Sequence, residues 1–410
     1  MRAFATRAVH GANTTPHAHG SLRPPLFDSA AFEFSSARDL ELAFAGQKPA
    51  HSYSRITNPT VEELERRIAL LANAFAVIGV SSGMAAITNV AMALSQSGMN
   101  IVTTRFLFGH TRSLFETTLA RFGISIRLTD FSDPSTIESV IDEQTAFVFL
   151  ETITNPQLEV ADITAISSIA ARRNVPVILD GTLTTPYLFD AKAAGVAVEV
   201  LSSTKYISGG ATTIGGLVVD YGTFDWGRTS LLTDTFRKAG PGALALRLRR
   251  EIYRNTGSCL APHNAWLQLL GIETLPLRIE KSCENALSIA RFLEQHPAVN
   301  SVNYPGLATS PFHGIARRQF GNRFGGILTF DLGTRERSFA LIDALQLIRR
   351  ATNVNDNKTL IIHPASTIFG EFSPEERTAM RIPDGQIRLS LGIEDAADIM
   401  EDLSQGLERL

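Results

Sequence analysis

The sequence predicts an α/β fold in which a mostly parallel β-sheet is covered by helices on both faces, followed by a smaller α+β unit. Three observations carry this. Short apolar runs recur at 76–80, 100–104, 146–150, 175–179 and 198–201, separated by segments of helix length, the alternation that strand–helix–strand units impose. Most of these runs are continuously apolar, as strands buried on both faces are. Only 19% of the 410 residues are charged while 44% are hydrophobic, against roughly 25% charged in an average soluble protein, so much of the chain must be buried.

Charge and cysteine usage exclude several classes. Lys plus Arg number 38 and Asp plus Glu 41, a formal charge of −3, and neither sign dominates enough for a nucleic-acid partner. Cys259 and Cys283 are the only cysteines; they cannot build a disulfide framework or a multi-cysteine zinc site, no metal is expected, and they fit the reducing cytoplasm. The charge deficit is concentrated between Arg67 and Arg105, where no Asp, Glu, Lys or Arg occurs. A membrane span needs about 20 predominantly apolar residues, and here Asn73, Ser81-Ser82-Gly83, Thr88 and Asn89 interrupt the run. A buried helix, turn and helix fits better, with no membrane partner. The first twenty residues lack an apolar h-region, and their Gly and Pro spoil an amphipathic transit helix, so they are expected to be an arm of the mature protein.

Taken in order, residues 1–60 hold little periodic structure. Asn58 before Pro59, with Glu62, Glu63 and Glu65 next, reads as an N-cap, a proline at the first helical position and an acidic first turn, predicting a helix over 59–72. The strand 76–80 should turn at Ser81-Ser82-Gly83 into an apolar helix ending near Leu94. From 261 to 296 one long helical pattern runs, with Trp266, Leu269, Leu270, Leu277 and Ile279 on its apolar face. Strands are expected at 299–304, 326–332, 359–362 and 386–391, with helices between them. No repeat or linker separates independent units.

Parallel sheets bind ligands at the carboxyl ends of their strands, which directs attention to residues 151–156, 180–186 and 202–206. Ser82-Gly83-Met84 opens a helix, where free N–H groups and the dipole can hold a phosphate; the plain alternative is an ordinary strand-to-helix turn. Asp180 closes an apolar run and could keep a heteroaromatic ring nitrogen protonated, or merely cap a loop. Lys205, in Ser202-Ser203-Thr204-Lys205-Tyr206, is flanked by hydroxyls with no nearby acid; most lysines are solvated surface, but one in such a place can lose its proton and form a Schiff base. Arg388 interrupts an apolar strand pattern, and a buried guanidinium takes a bidentate carboxylate, from a ligand or from an internal salt bridge. Together a phosphate cup, a ring-nitrogen aspartate, a Schiff-base lysine and a carboxylate clamp describe a pyridoxal phosphate site for an amino acid.

At these residues the sequence resembles the Cys/Met-metabolism family of fold-type I pyridoxal-phosphate enzymes, from Thr6-Arg-Ala-Val-His-Gly11 to Arg388-Leu-Ser-Leu-Gly-Ile-Glu394. Its most specific elements are Tyr53-Ser-Arg-Ile-Thr-Asn-Pro-Thr60, Ser82-Gly-Met84, Asn155-Pro156, Asp180 with Thr185-Pro186-Tyr187, and Ser202-Ser-Thr-Lys205. The resemblance implies a fold-type I transferase with a seven-stranded sheet, an arm over 1–60 that contacts the neighbouring subunit, a cofactor-binding domain over 61–257 and a C-terminal domain over 258–410. It implies that Lys205 is the Schiff-base lysine and that Asp180 pairs with the pyridine nitrogen. Gly83 and Met84 amides with the hydroxyls of Ser202 and Thr204 are implied at the phosphate, in a cofactor-binding cup that Ser82 opens, and Asn155 at the phenolic oxygen. Tyr53 and Arg55 are implied to reach a neighbouring subunit's phosphate in a homotetramer with shared active sites. Arg388, with Asn353 nearby, is implied to clamp the substrate carboxylate.

Within the family, residues 257–266, 271–275 and 353–367 look most like the O-acetylhomoserine sulfhydrylase branch, and Asn353 stands where γ-lyases usually have serine. The implied reaction is γ-replacement on an O-acylhomoserine by sulfide or a thiol. The alternatives are a γ-lyase or a cystathionine γ-synthase or lyase on the same residues, and a non-catalytic module that keeps the fold. Three departures bear on this. Phe108 replaces the family's tyrosine; it can stack on the pyridine ring but brings no phenol, and His110 is either a substitute acid or a loop residue. Gly181 replaces an asparagine after Asp180, and Ile368-Phe369 replaces Thr-His. His363 is expected to be structural, and both cysteines to lie in helical, apolar surroundings.

Overall fold

The computed structural model describes residues 2–11 and 17–410; Met1 and residues 12–16, part of the expected arm, lie outside the described residues. Seven strands form the larger sheet: β1 (Ala76–Val80), β2 (Asn100–Thr104), β3 (Ser125–Thr129), β4 (Thr145–Glu151), β5 (Val177–Asp180), β6 (Val198–Leu201) and β7 (Gly216–Asp220). Their order is β1-β7-β6-β5-β4-β2-β3. Strand β7 runs antiparallel to both neighbours, while the β2, β3, β4, β5 and β6 pairings are parallel. Alternate side chains feed two cores. Val102, Val148, Val177 and Leu179 face one; Ile101, Phe147, Phe149 and Ile178 face the other. Helices cover both faces, which is why the strands carry apolar residues at nearly every position.

The local signals before β1 act as expected. The helix Pro59–Ala72 starts where the Asn58 side chain accepts from the Thr60 N–H, and ends at Asn73 in the left-handed region. The uncharged stretch becomes the end of this helix, β1, the helix Gly83–Leu94 and β2, all largely buried.

The second sheet has five strands, β8 (Ser301–Asn303), β9 (Ile327–Asp331), β10 (Arg349–Arg350), β11 (Leu360–Ile362) and β12 (Gln386–Ser390), in the order β10-β11-β12-β9-β8. It is antiparallel except for β10 with β11.

Several expectations need correction. The long pattern over 261–296 is two helices, Pro262–Glu273 and Leu275–Glu294, because Pro276 has no N–H for the preceding turn. Strands β3, β7 and β10 were not expected. The amino-terminal region is less bare than its sequence: Phe4–His10 and Ala37–Phe44 are helical, and the first docks on its own chain through Arg7 to the Leu70 carbonyl at 2.5 Å and Arg67 to the Ala8 carbonyl at 2.6 Å. Cys259 is not in a helix but bridges to Val80, whereas Cys283 is buried on Leu275–Glu294. No helix among the described residues is long and apolar enough to cross a membrane.

Candidate functional site

The carboxyl ends of β4, β5 and β6, with the loops after β1 and β2, open onto a cavity of about 330 Å³ that the second sheet closes from the other side. Ser82, Gly83, Met84, Phe108, Asn155, Asp180, Ser202, Thr204, Lys205 and Arg388, all singled out in the sequence, line it. Asn353 meets it through Lys205. Tyr53 and Arg55 do not line it: the Arg55 guanidinium lies over the Tyr53 ring, 5.3 Å from its centre, and donates to the Arg254 carbonyl at 2.8 Å.

The anion-binding corner is built from backbone. Ser82 caps the helix Gly83–Leu94, its hydroxyl accepting from the Ala85 N–H at 3.0 Å. The N–H groups of Gly83 and Met84, first in that helix, have no intrahelical acceptor. A Cβ on Gly83 would fall 2.6 Å from the Ser202 Cβ, so glycine is what lets the helix end close on Ser202. The Thr204 hydroxyl is already engaged, accepting from the Gly215 N–H at 3.0 Å and donating to its carbonyl at 3.2 Å.

Asp180 ends β5. Its Oδ1 accepts from the Thr182 N–H at 2.9 Å, and no ion pair reaches it among the described residues. Burial is the main reason its carboxyl is pushed above its ordinary range, opposed by Thr182 and by the charge of Lys205. A cation at the carboxylate would reverse that shift.

Lys205 follows β6, and its Nζ donates to Asn353 Oδ1 at 2.5 Å. Burial first, then the charge of Arg388, hold it down to about 8, against the pull of Asp356 and Asp180. Arg388, on β12, is only 2% exposed. Its guanidinium donates to Asn155 Oδ1 at 3.1 Å and to the carbonyls of Asn353 and Thr352 at 3.1 and 3.4 Å. Its Nε is buried without a partner, and no carboxylate pairs with it among the described residues. The internal salt bridge that the sequence left open is therefore not what the fold builds, and the charge is free to meet a carboxylate from outside.

Glu151 was missed. It ends β4 directly beside Asp180 in the parallel ladder, lines the cavity, and its Oε1 accepts from the Phe108 N–H at 2.6 Å. Burial, then Asp180, push its carboxyl well above the ordinary range. The signal was available, an acid closing a buried apolar run, but nothing in the run tells what it holds. His110 also lines the cavity, its ring edge-on to Phe108 at 5.1 Å. His363 is held by Ser366 at 2.9 Å and by the Asp384 carbonyl at 2.6 Å, as a structural residue would be.

The set of unmet demands fits pyridoxal phosphate: helix-terminal N–H groups for an anion, a buried acid without a cation, a lysine of lowered pKa for an electrophile, and a guanidinium with an orphaned buried Nε for an amino-acid carboxylate. The comparisons with known proteins agree. A family model described as Cys/Met metabolism PLP-dependent enzyme matches residues 5–408. The O-acetyl-L-homoserine sulfhydrylase of Corynebacterium glutamicum is 36% identical over 421 aligned positions, covering 98% of this chain and 96% of that one. A Campylobacter jejuni structure, provisionally assigned as an O-acetylhomoserine (thiol)-lyase, superposes with a TM-score of 0.91 at 35% identity over 99% of each chain, and carries N'-pyridoxyl-lysine-5'-monophosphate at its position 205. The O-acetylhomoserine sulfhydrylase of Wolinella succinogenes is 47% identical with a TM-score of 0.78, over 86% of this chain and 97% of that one. With nearly its whole length matching the family model and its fold matching a solved relative, this chain belongs to the Cys/Met metabolism family of pyridoxal-phosphate-dependent enzymes.

Proposed function

We propose that the protein replaces the γ-acyloxy group of an O-acylhomoserine, O-acetylhomoserine first, with sulfide or a thiol, giving homocysteine or its thioether. The observation that carries this is the meeting of Lys205, Asp180 and an Arg388 without an acidic partner in one cavity. The sulfhydrylases among its relatives, one at 47% identity, support the O-acetyl ester.

Pyridoxal phosphate would be held at its phosphate by the N–H groups of Gly83 and Met84 and the Ser202 hydroxyl, with the Thr204 hydroxyl turning its proton from the Gly215 carbonyl to join them. Asp180 would stand at its ring nitrogen, Asn155 at its phenolic oxygen, Phe108 against its ring and Lys205 at its aldehyde carbon. When bound, it supplies an electron-withdrawing ring conjugated to the substrate amine, which makes the protons at Cα and then Cβ removable. Arg388 takes the α-carboxylate and fixes which bond at Cα faces the ring. The Lys205 amine, with a pKa near that of a useful base at neutral pH, takes the Cα proton. Asp180 keeps a proton on the ring nitrogen. A departing carboxylate, whose acid has a pKa of about 4, leaves as an anion without a donated proton, so the hydrocarbon ring of Phe108 suffices. A thiolate, with a pKa of about 8.5, would gain more from an acid there.

Holoenzyme given O-acetyl-, O-succinyl- or O-phosphohomoserine with sulfide should release homocysteine, fastest from the acetyl ester. Ammonia and 2-oxobutyrate as sole products would make it a γ-lyase, and cofactor binding without turnover of any ester would make it a module. A second expected result concerns pH. Below about 8 Lys205 is mostly protonated, and only the neutral amine attacks a carbonyl. Uptake of pyridoxal phosphate by the cofactor-free chain should therefore quicken about tenfold per pH unit and level off above about 8, where an ordinary lysine would keep rising to about 10.4. Stopped-flow absorbance against pH tests this.

The same proposal extends to assembly: an arm over 1–60 reaching a neighbouring subunit, a cofactor domain over 61–257, a C-terminal domain over 258–410, and a cytoplasmic homotetramer in which Tyr53 and Arg55 serve the partner's phosphate. Mixing Arg55→Ala with Lys205→Ala protein should then restore part of the activity that each lacks alone. Hybrids as inactive as their parents would place each site within one chain.

A further inference from the structure

Gly181 follows Asp180 at the end of β5. Its backbone is not in the left-handed region, so it is space and not conformation that excludes a side chain. A Cβ there would lie 1.8 Å from Glu199 Oε1 and 2.7 Å from its Cδ. Glu199 comes from β6, opposite Leu179, and is 0% exposed. The Tyr221 hydroxyl donates to its Oε2 at 2.6 Å, while Oε1, the atom facing Gly181, is buried without a partner. The carboxyl is the end of a flexible side chain, but swinging it aside would strain the Tyr221 bond in a packed interior. Burial pushes it up to about 8, so at neutral pH it sets no second negative charge under Asp180.

The turn resting on this carboxyl is the one that fixes Asp180. Gly181 accepts from the N–H groups of Thr184 and Thr185 at 3.1 and 2.7 Å. The Thr182 N–H donates to Asp180, and Thr182 Oγ1 accepts from the Ser202 N–H at 2.8 Å. A displacement at 181 would therefore reach both Asp180 and Ser202.

We propose that Glu199 is a positioning residue for Asp180: from the neighbouring strand its carboxyl fills the volume that a side chain at 181 would take, and so seats the turn that presents Asp180 to the cofactor. Residues 181 and 199 are then a matched pair. This rests on the reading of Asp180 as the partner of the pyridoxal phosphate ring nitrogen.

The test uses holoproteins as purified and reads cofactor occupancy and the pH midpoint of the bound cofactor's visible absorbance. Gly181→Ala should lower cofactor affinity about tenfold or more and move the midpoint in the same direction as Asp180→Asn. Gly181→Ala/Glu199→Ala should recover most of both losses, the non-additivity that residues in contact show and independent sites do not. Glu199→Gln, of the same shape, should behave as wild type. If Gly181→Ala yields no soluble protein, its recovery as holoprotein in the double variant supports the pairing, and continued insolubility overturns it. Wild-type behaviour of Gly181→Ala, losses that simply multiply in the double variant, or a Glu199→Gln protein as impaired as Glu199→Ala would each overturn it. An Asp180→Asn protein with an unmoved midpoint would instead sink the reading of Asp180, separately from the pairing.

Discussion

Lys205→Ala is expected to lose turnover by at least about 10³-fold, since removal of a positioned general base alone is worth about 10²–10⁴ and this side chain is also proposed as the covalent anchor. The fold prepares it for both tasks. The end of β6 delivers it to the cavity, burial and Arg388 lower its pKa to about 8, and Asn353 Oδ1 holds Nζ at 2.5 Å. Borohydride treatment followed by peptide mass analysis should show the cofactor fixed to the Lys205 peptide of the wild type and to no peptide of the variant. Lys205→Arg should not rescue, because a guanidinium keeps its proton at any useful pH. A variant that turns over at the wild-type rate, or a wild type labelled at another lysine, would remove Lys205 from the mechanism.

Lys205 was legible in the sequence because its signal is local: a strand ends, hydroxyls follow, and no acid stands near. The same holds for the helix Pro59–Ala72, whose Asn58 cap and proline start lie in adjacent residues. What stayed hidden depends on partners distant in the chain. Glu199 reads as one polar break in an apolar strand, and only the β5–β6 pairing brings it under Gly181. Glu151 ends a strand as Asp180 does, yet its hydrogen bond to the Phe108 N–H crosses to the loop after β2. Strand β7 was missed because it follows a run of glycines and hydroxyl residues that reads as loop, and its antiparallel course is set by the neighbours it joins. Arg388 was half legible. Its burial followed from the strand pattern, but its partner could have been any carboxylate in the chain until the fold put carbonyls and Asn155 around it.

That arrangement at Arg388 makes the second large effect specific to one group of the substrate. The guanidinium has Asn155 Oδ1 and two carbonyls for company, none of which neutralises it, so the arriving α-carboxylate completes a buried ion pair. Truncating one side of such a pair costs about 2–5 kcal/mol. Arg388→Ala should thus lower kcat/KM for an O-acylhomoserine by about 30-fold to several thousand-fold, with KM carrying much of the change. Arg388→Lys should recover only part, since an ammonium lacks the fork that meets both carboxylate oxygens. The decisive comparison changes the substrate as well. Wild type should prefer the free acid over its carboxamide by a similar factor, whereas Arg388→Ala should treat the two nearly alike, because the residue and the carboxylate are partners in one interaction. A variant that still prefers the free acid as strongly as wild type would move the carboxylate to another residue. Then the orphaned Nε of Arg388 would need a different occupant.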